Sequence, residues 1–373
     1  MRIAFITETF LPATDGVVTR LRHTLEELDR MGDEALVVCP SYPEGGPDDY
    51  AGAFIHRAPG IPFPPYPQIR LAPPNPGIGR ALRRFKPDVI HAVNPIFIGW
   101  AALFYSRKWN VPLVASYHTN VAAYASYYRL GFLYEAARWY TRTTHNMAAV
   151  NLCTSRATMD FLHLEGVKRV RLWPQGVDGE FLHPSKASRE WRERLSGGNP
   201  GDKLLLFVGR LAPEKGIERL KHVLREMPEA RLAIVGDGPA RSFLEREYAG
   251  ERAVFTGLLK GDELASAYAS ADAFLFPSTT ETLGMAMIEA LASGLPVVAA
   301  RSGASHEVVT EGVDGFLYEP KDDGDFVRVV RRVFSEDCLR ERLSAGARES
   351  AEGRDWWSST RALKGYYEEA VGS

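Results

Sequence analysis

Short runs of strand-forming apolar residues recur along this 373-residue chain, and amphipathic helical segments separate nearly all of them. In the first half the runs are 3–7, 35–39, 89–92, 113–117 and 148–153. In the second half they are 204–208, 231–235, 253–256, 273–276, 296–299 and 316–318. Strands that are apolar on both faces are buried on both faces, so the alternation predicts parallel sheets covered by helices above and below. The clearest helix is 19–31, where Leu21, Leu25 and Leu28 keep helical spacing.

A chain of this length exceeds what one core usually serves, which predicts two domains. A polar segment from Ser185 to Gly201 follows the last strand of the first half and precedes a fresh βα series, placing the boundary near 178–201. The Pro- and Gly-rich stretch 42–76 reads as a loop insertion of the first domain. The expected fold class is α/β, with two Rossmann-like parallel-sheet domains facing a cleft at the carboxyl ends of their strands. A last helix, 356–370, is expected to return to the first domain.

Residues 1–180 carry 19 Lys/Arg against 16 Asp/Glu although the whole chain is net negative. Within 51–87 stand Arg57, Arg70, Arg80, Arg83, Arg84 and Lys86 with no acid, which suits a phosphate-rich surface. No signal-peptide pattern precedes the first strand, and the longest apolar run, 95–106, is too short to span a bilayer. Three widely spaced cysteines form no metal or disulfide pattern. The expectation is a reduced cytoplasmic protein, peripherally associated with an anionic membrane.

Several motifs carry chemistry. Glu281-Thr282-Leu283-Gly284 opens an apolar helical run that contains Glu289. Eight residues at about 100° each would set the two carboxylates roughly 80° apart, so they are not a side-by-side acid/base pair. Glu281 belongs in the strand-to-helix loop and Glu289 one to two turns in, with the free N–H groups of the helix start, 283–286, offering an anion site. That arrangement suits an anionic leaving group, with one carboxylate reaching a sugar and the other a ribose diol. Gly209-Arg210 and Lys215-Gly216 follow the strand 204–208, and the two cations can converge on a diphosphate. The Gly236-Asp-Gly238 run lacks the third glycine of a dinucleotide fingerprint, because Arg241 stands there. Gly16-Val17, after the first strand, would let the first domain approach a phosphate or sugar. His118 lies just past a strand, where ligands bind in such sheets. Asp323-Gly-Asp325 reads as a helix cap rather than a metal pair, and no cluster points to a metal. Phe63 and Tyr66, with Tyr124, Tyr127, Tyr128 and Arg129, form an aromatic and basic set suited to a lipid acceptor or a bilayer interface. No recognised module supports nucleic-acid binding.

With these residues in view, the chain resembles the retaining glycosyltransferases of family 4, which have the GT-B fold. Within that family it resembles the sulfoquinovosyltransferases that make sulfoquinovosyldiacylglycerol. The likeness spans almost the whole chain and rests on segments 10–23, 86–91, 114–119, 254–264 and 280–284 together with the Gly-Arg…Lys-Gly loop and the Glu-x7-Glu segment. It implies an N-terminal acceptor-binding domain at 1–185, a nucleotide-sugar-binding domain at 200–355 and a terminal helix at 356–373.

The resemblance further implies a role for each motif. Arg210 and Lys215 would hold the donor diphosphate, Glu281 would face the transferred sugar and Glu289 the ribose. Leu258-Leu259 would read the base, His118 would lie beside the reacting sugar, and Gly16 would approach the donor from the first domain. The expected reaction is sulfoquinovosyl transfer from UDP-sulfoquinovose to diacylglycerol, by a front-face route and with no cofactor beyond the donor. Three places depart from the sulfoquinovosyltransferase pattern: Asn120, Gln175 where a basic residue is usual, and 304–307. They leave open a neutral donor such as UDP-glucose, UDP-galactose or GDP-mannose, on a lipid or a soluble acceptor. A sugar-nucleotide epimerase of the same architecture is a further alternative.

Overall fold

The computed structural model describes residues 1–13, 15–63, 66–118 and 134–372; the side chains of 63, 66–69, 134 and 337 lie outside that description. It divides into two compact units, Met1–Gly176 with Trp356–Ser373, and Val177–Asp355. Both are α/β with parallel sheets, as the alternation of strands and helices requires.

In the first unit eight strands lie in the order Val170–Leu172, Val150–Cys153, Leu113–Tyr117, Val89–Val93, Arg2–Thr7, Glu34–Pro40, Ala53–Ala58 and Asp49–Tyr50. All neighbours are parallel except the last pair. Alternation within the first strand feeds two cores. Ile3 and Phe5 pack with Leu21, Leu25 and Leu28 of the helix Gly16–Arg30. Ala4 and Ile6 pack with Ile78, Leu82 and Leu103 of the helices Pro76–Phe85 and Gly99–Trp109. Each such fully buried Leu or Ile contributes about 1.5–3 kcal/mol.

The helix Trp356–Val371 belongs to this unit. Its buried positions Trp356, Ser359, Thr360, Leu363, Tyr367 and Ala370 form one helical stripe. Lys364 Nζ reaches Asp33 at 2.7 Å, and Tyr366 donates to the Leu172 carbonyl at 2.8 Å.

The stretch read as a loop insertion is ordered as strands. Ala53–Ala58 adds in parallel to the main sheet, and Ile61–Phe63 pairs antiparallel with Tyr66–Leu71. Pro62 and Pro67 lie within this two-stranded pair, outside the main sheet, where a missing N–H removes no ladder bond from a central strand. The strand Val170–Leu172, too short to stand out in the sequence, forms the other edge.

In the second unit six parallel strands run Ala253–Gly257, Ala230–Val235, Lys203–Val208, Ala273–Phe276, Val297–Ala300 and Gly315–Tyr318. The segment expected to separate the domains is built into this unit. It carries the helix Arg189–Leu195, whose Leu195 is fully buried, and Arg192 pairs with Asp272 at 2.8 Å. One apolar face among polar neighbours was enough to dock it.

Candidate active site

The strand order of the second unit places its motif loops next to one another. The loops after Ala253–Gly257, Ala230–Val235, Lys203–Val208 and Ala273–Phe276 emerge side by side at the carboxyl edge of one sheet. That edge is where open parallel sheets bind ligands. Leu258 and Leu259 lie in the first of these loops, Gly236 in the second, Gly209 to Lys215 in the third and Glu281 to Gly284 in the fourth.

Gly236 and Gly209 form the closest approach. The backbone of Gly236 has φ +130°, and a Cβ there would fall 2.0 Å from the Gly209 carbonyl oxygen. The glycine is thus required by loop against loop. A Cβ at Gly238 would likewise meet the Leu211 carbonyl at 2.4 Å. Of the two leucines, Leu259 is buried and Leu258 is exposed at the rim.

Arg210 pairs with Glu214, a buried carboxylate four residues on. Lys215 pairs with Glu281, and Ser278 Oγ lies 3.3 Å both from Glu281 Oε1 and from the Glu214 carbonyl. The two cations and Glu281 are therefore cross-braced between two loops. Gly284, at φ +81°, turns the chain into the helix Met285–Ala292, which has no side-chain cap. Backbone donors at such a start favour an anion. Thr282 and Leu283 sit in the turn before it. Glu289 lies in the second turn, and its Oε2 accepts from Tyr268 at 2.8 Å.

In the first unit Asp15 caps the helix Gly16–Arg30 and accepts from Val17 and Val18 at 2.8 and 2.9 Å. Of the two residues expected to approach the donor, Val17 has its N–H held by this cap, while Gly16 is exposed. His118 follows Leu113–Tyr117 at the carboxyl edge, partly buried, with Nε2 2.8 Å from Ser116 Oγ. Burial, then the charge of Arg20 and the neighbouring His91 and His145, hold its pKa well below the usual histidine range.

Gln175 accepts a hydrogen bond from Arg20, whose guanidinium lies 4.2 Å over the Trp173 ring. Burial lowers Arg20 to about 9. A cation therefore stands against position 175 although that residue is neutral.

Tyr124, Tyr127, Tyr128 and Arg129 lie outside the described residues. Phe63 and Tyr66 are backbone register partners in the antiparallel pair. Asp323 and Asp325 do open a helix, but the cap is Asp322, which accepts from Asp325 N at 2.9 Å. Asp325 takes the Glu319 N–H at 2.7 Å, and Asp323 pairs with Arg219 at 2.6 Å. Among the described residues no group of three His, Cys, Asp or Glu is arranged to hold a metal.

Sequence reasoning passed over Glu214, Ser278, Tyr268 and Tyr367. Glu214 lies inside the motif itself; Ser278 follows a strand end, and the two tyrosines stand on the buried faces of amphipathic helices, so none of the three carried a signal of its own.

Two Rossmann-like units with these loops at the sheet edge define the GT-B class of nucleotide-sugar-dependent folds. Residues 14–181 match glycosyltransferase family 4 and residues 189–350 match glycosyl transferases group 1. Sulfoquinovosyl transferase SQD2 of Arabidopsis thaliana is 39% identical over 97% of this chain and 72% of its own. A GDP-mannose-dependent alpha-mannosyltransferase of Mycobacterium tuberculosis is also 39% identical, over 100% of this chain and 97% of its own. An alpha-monoglucosyldiacylglycerol synthase of Streptococcus pneumoniae is 28% identical over 87% of this chain and 76% of its own. In structure the chain is similar to sucrose-phosphate synthase from Thermosynechococcus elongatus, with TM-score 0.85 and 21% identity over 100% and 99% of the two chains. The chain belongs to the family 4/group 1 glycosyltransferases and is a retaining glycosyltransferase of GT-B fold.

Proposed function

We propose that this enzyme moves sulfoquinovose from UDP-sulfoquinovose to diacylglycerol at the surface of an anionic membrane, retaining the anomeric configuration. The observation that carries this reading is an exposed face of the first unit. Phe97, Trp100 and Phe104, at i, i+3 and i+7, are 44%, 48% and 55% exposed. Trp139 is also exposed, and the ring of its neighbour Tyr140 lies 5.9 Å from that of Trp100. Arg107 and Lys108 end the same helix. Arg80, Arg83 and Arg84 are exposed on the helix Pro76–Phe85, with the Arg83 guanidinium 5.9 Å from the Trp109 ring. Aromatic side chains ringed by cations match a bilayer interface with anionic headgroups. Glu8 steadies the start of the stripe, accepting from Ile96 and Phe97 at 2.9 and 2.6 Å. No described helix is long and apolar enough to cross a membrane.

In the second unit the donor diphosphate would take Arg210, Lys215 and the uncapped start of Met285–Ala292. Glu281 would face the sugar, Glu289 the ribose and Leu258-Leu259 the base. In the first unit, His118 and Gly16 would approach the sugar and the diphosphate. Stabilising the departing diphosphate supplies most of the catalysis, since the charge that develops there meets preset cations. Arg20 against Gln175 supports a sulfonated substrate, because it restores the positive charge that position 175 lacks. The mannosyltransferase of equal identity supports a second reading, a neutral donor such as GDP-mannose.

The test is a competition of UDP-sulfoquinovose, UDP-glucose, UDP-galactose and GDP-mannose over diacylglycerol liposomes, with lipid products read by mass spectrometry. A sulfoquinovosyl lipid as main product is expected. Another glycolipid selects the second reading, and no lipid product from any donor overturns the acceptor.

A further inference from the structure

We propose that Tyr367, His91 and Ser116 are positioning residues that hold the proton of His118 on Nδ1. A hydrogen-bonded chain crosses three elements of the first unit. Tyr367 OH lies 2.7 Å from His91 Nδ1, His91 Nε2 lies 2.9 Å from Ser116 Oγ, and Ser116 Oγ lies 2.8 Å from His118 Nε2. Tyr367, on the last helix, and His91, in the strand Val89–Val93, are fully buried, and Ser116 is 1% exposed. Rings of Phe5, Trp173 and Tyr367 surround His91 with centroids at 5.4 to 5.7 Å.

The direction of this chain follows from its buried end. A phenol O–H must be donated, and among the described residues His91 Nδ1 is its hydrogen-bond partner. His91 then carries its single proton on Nε2 and donates it to Ser116. Among the described residues the partners of the serine hydroxyl are His91 and His118, so its O–H, accepting from His91, is donated to His118 Nε2. That nitrogen is an acceptor, so the proton of a neutral His118 sits on Nδ1. Reversing every bond would strand the Tyr367 O–H in an aromatic pocket, disfavouring that arrangement by on the order of ten-fold or more.

The titratable members of the relay must keep their neutral forms, and burial supplies this. It pushes His91 down to about 3, with the charge of Arg20 adding to the effect, and it raises the Tyr367 phenol well above its usual range. Arg20 and the imidazoles of His91 and His145 also oppose a charge on His118. A singly protonated ring with a fixed tautomer is the result.

His118 stands at the carboxyl end of its strand, so the relay makes it a hydrogen-bond donor through Nδ1 there. Its use toward an oxygen of the donor sugar rests on the proposed transfer; the tautomer itself does not. The relay also links the terminal helix to the candidate site, since its far end is Tyr367.

The test uses the full chain labelled with 15N-histidine at neutral pH, without substrate. Long-range 1H–15N correlations report the tautomer of each ring, and His118→Gln identifies the His118 signals. Nδ1–H is expected for wild-type His118; Nε2–H overturns the proposal, and this measurement needs no variant to fold. Tyr367→Phe removes one oxygen and frees the relay to reverse, so the Nε2–H population of His118 is expected to rise. An unchanged tautomer in that variant overturns the role of Tyr367. With a donor that the enzyme turns over, kcat is expected to fall roughly ten-fold and KM for the donor to stay within about two-fold. A shifted tautomer with full kcat overturns the use of that proton in transfer. Failure of every donor, with the tautomer as expected, counts against the proposed function alone.

Discussion

The hydroxyl of Tyr268 lies 2.8 Å from Oε2 of Glu289, joining two helices of the second unit behind the candidate donor site. Tyr268 is fully buried in the helix Gly261–Ser270, and burial followed by the nearby Glu289 charge holds its phenol in the protonated, donating form. Glu289 is thereby held by a hydrogen bond from a neighbouring helix.

Tyr268→Phe is expected to weaken nucleotide binding by about 5- to 30-fold, because a charged hydrogen bond of about 1–2 kcal/mol no longer orients Glu289. Turnover at saturating donor should change less. Calorimetric titration with UDP checks it; unchanged affinity would show that Glu289 does not depend on Tyr268.

Lys215→Ala is expected to lower kcat by roughly 100-fold or more while weakening donor binding far less, since the cation acts on charge that appears in the transition state. The same change leaves Glu281 without its ion-pair partner. Steady-state kinetics separates the two parameters, and equal losses in both would sink the role.

Turnover should be unaffected by EDTA, because Arg210, Lys215 and the helix start are proposed to do the neutralising that a divalent cation does elsewhere. Assays in the chelator, and after adding back magnesium or manganese, test this. A dependence on either ion would contradict it.

Trp100→Ser with Phe104→Ser is expected to reduce sedimentation with anionic vesicles at least ten-fold, through lost apolar burial in the interface. Raising salt should weaken wild-type binding, because screening acts on the arginines and lysines beside the stripe. The thermal midpoint should move little, both rings being half exposed. Binding that ignores both changes would place the membrane face elsewhere.

Stability is expected to fall between pH 6.5 and 5. Burial lowers His91 to about 3 and His145 to about 4, and His118 lies well below the usual range. Each titrates near 6.5 when unfolded, so below that pH the unfolded chain binds protons that the folded chain does not. The stabilisation is complete above about 6.5 and is lost as pH falls toward the folded values, by up to about 1.4 kcal/mol per pH unit for each histidine. Urea midpoints across this range check the sign; a flat or rising profile on acidification would refute it.

What the sequence determined by itself was the local and periodic part. Doubly apolar runs such as 113–117 and 273–276 can satisfy their surfaces only between two helical layers, so the strand positions and the parallel sheets were legible. Gly284 before an apolar helix, with Glu281 and Glu289 on either side, placed one carboxylate in a loop and the other in the second turn. Glycines, cations and carboxylates at strand ends are visible because such ends face ligands.

The tertiary structure alone decided which distant residues complete these motifs. Strand order brought the loops that carry Gly209, Gly236, Leu258 and Glu281 to neighbouring places on one edge, which no spacing along the chain encodes. It also ordered the 42–76 stretch into sheet edges, because edge pairing depends on a neighbour supplied from elsewhere. Tyr268 and Tyr367 stand on the buried faces of their helices, and nothing in their sequence neighbourhood marks them. Their hydroxyls acquired a purpose only when folding placed Glu289 and His91 within hydrogen-bond reach. A buried polar atom must find its partner in space, and the chain distance to that partner is 21 residues in one case and 276 in the other.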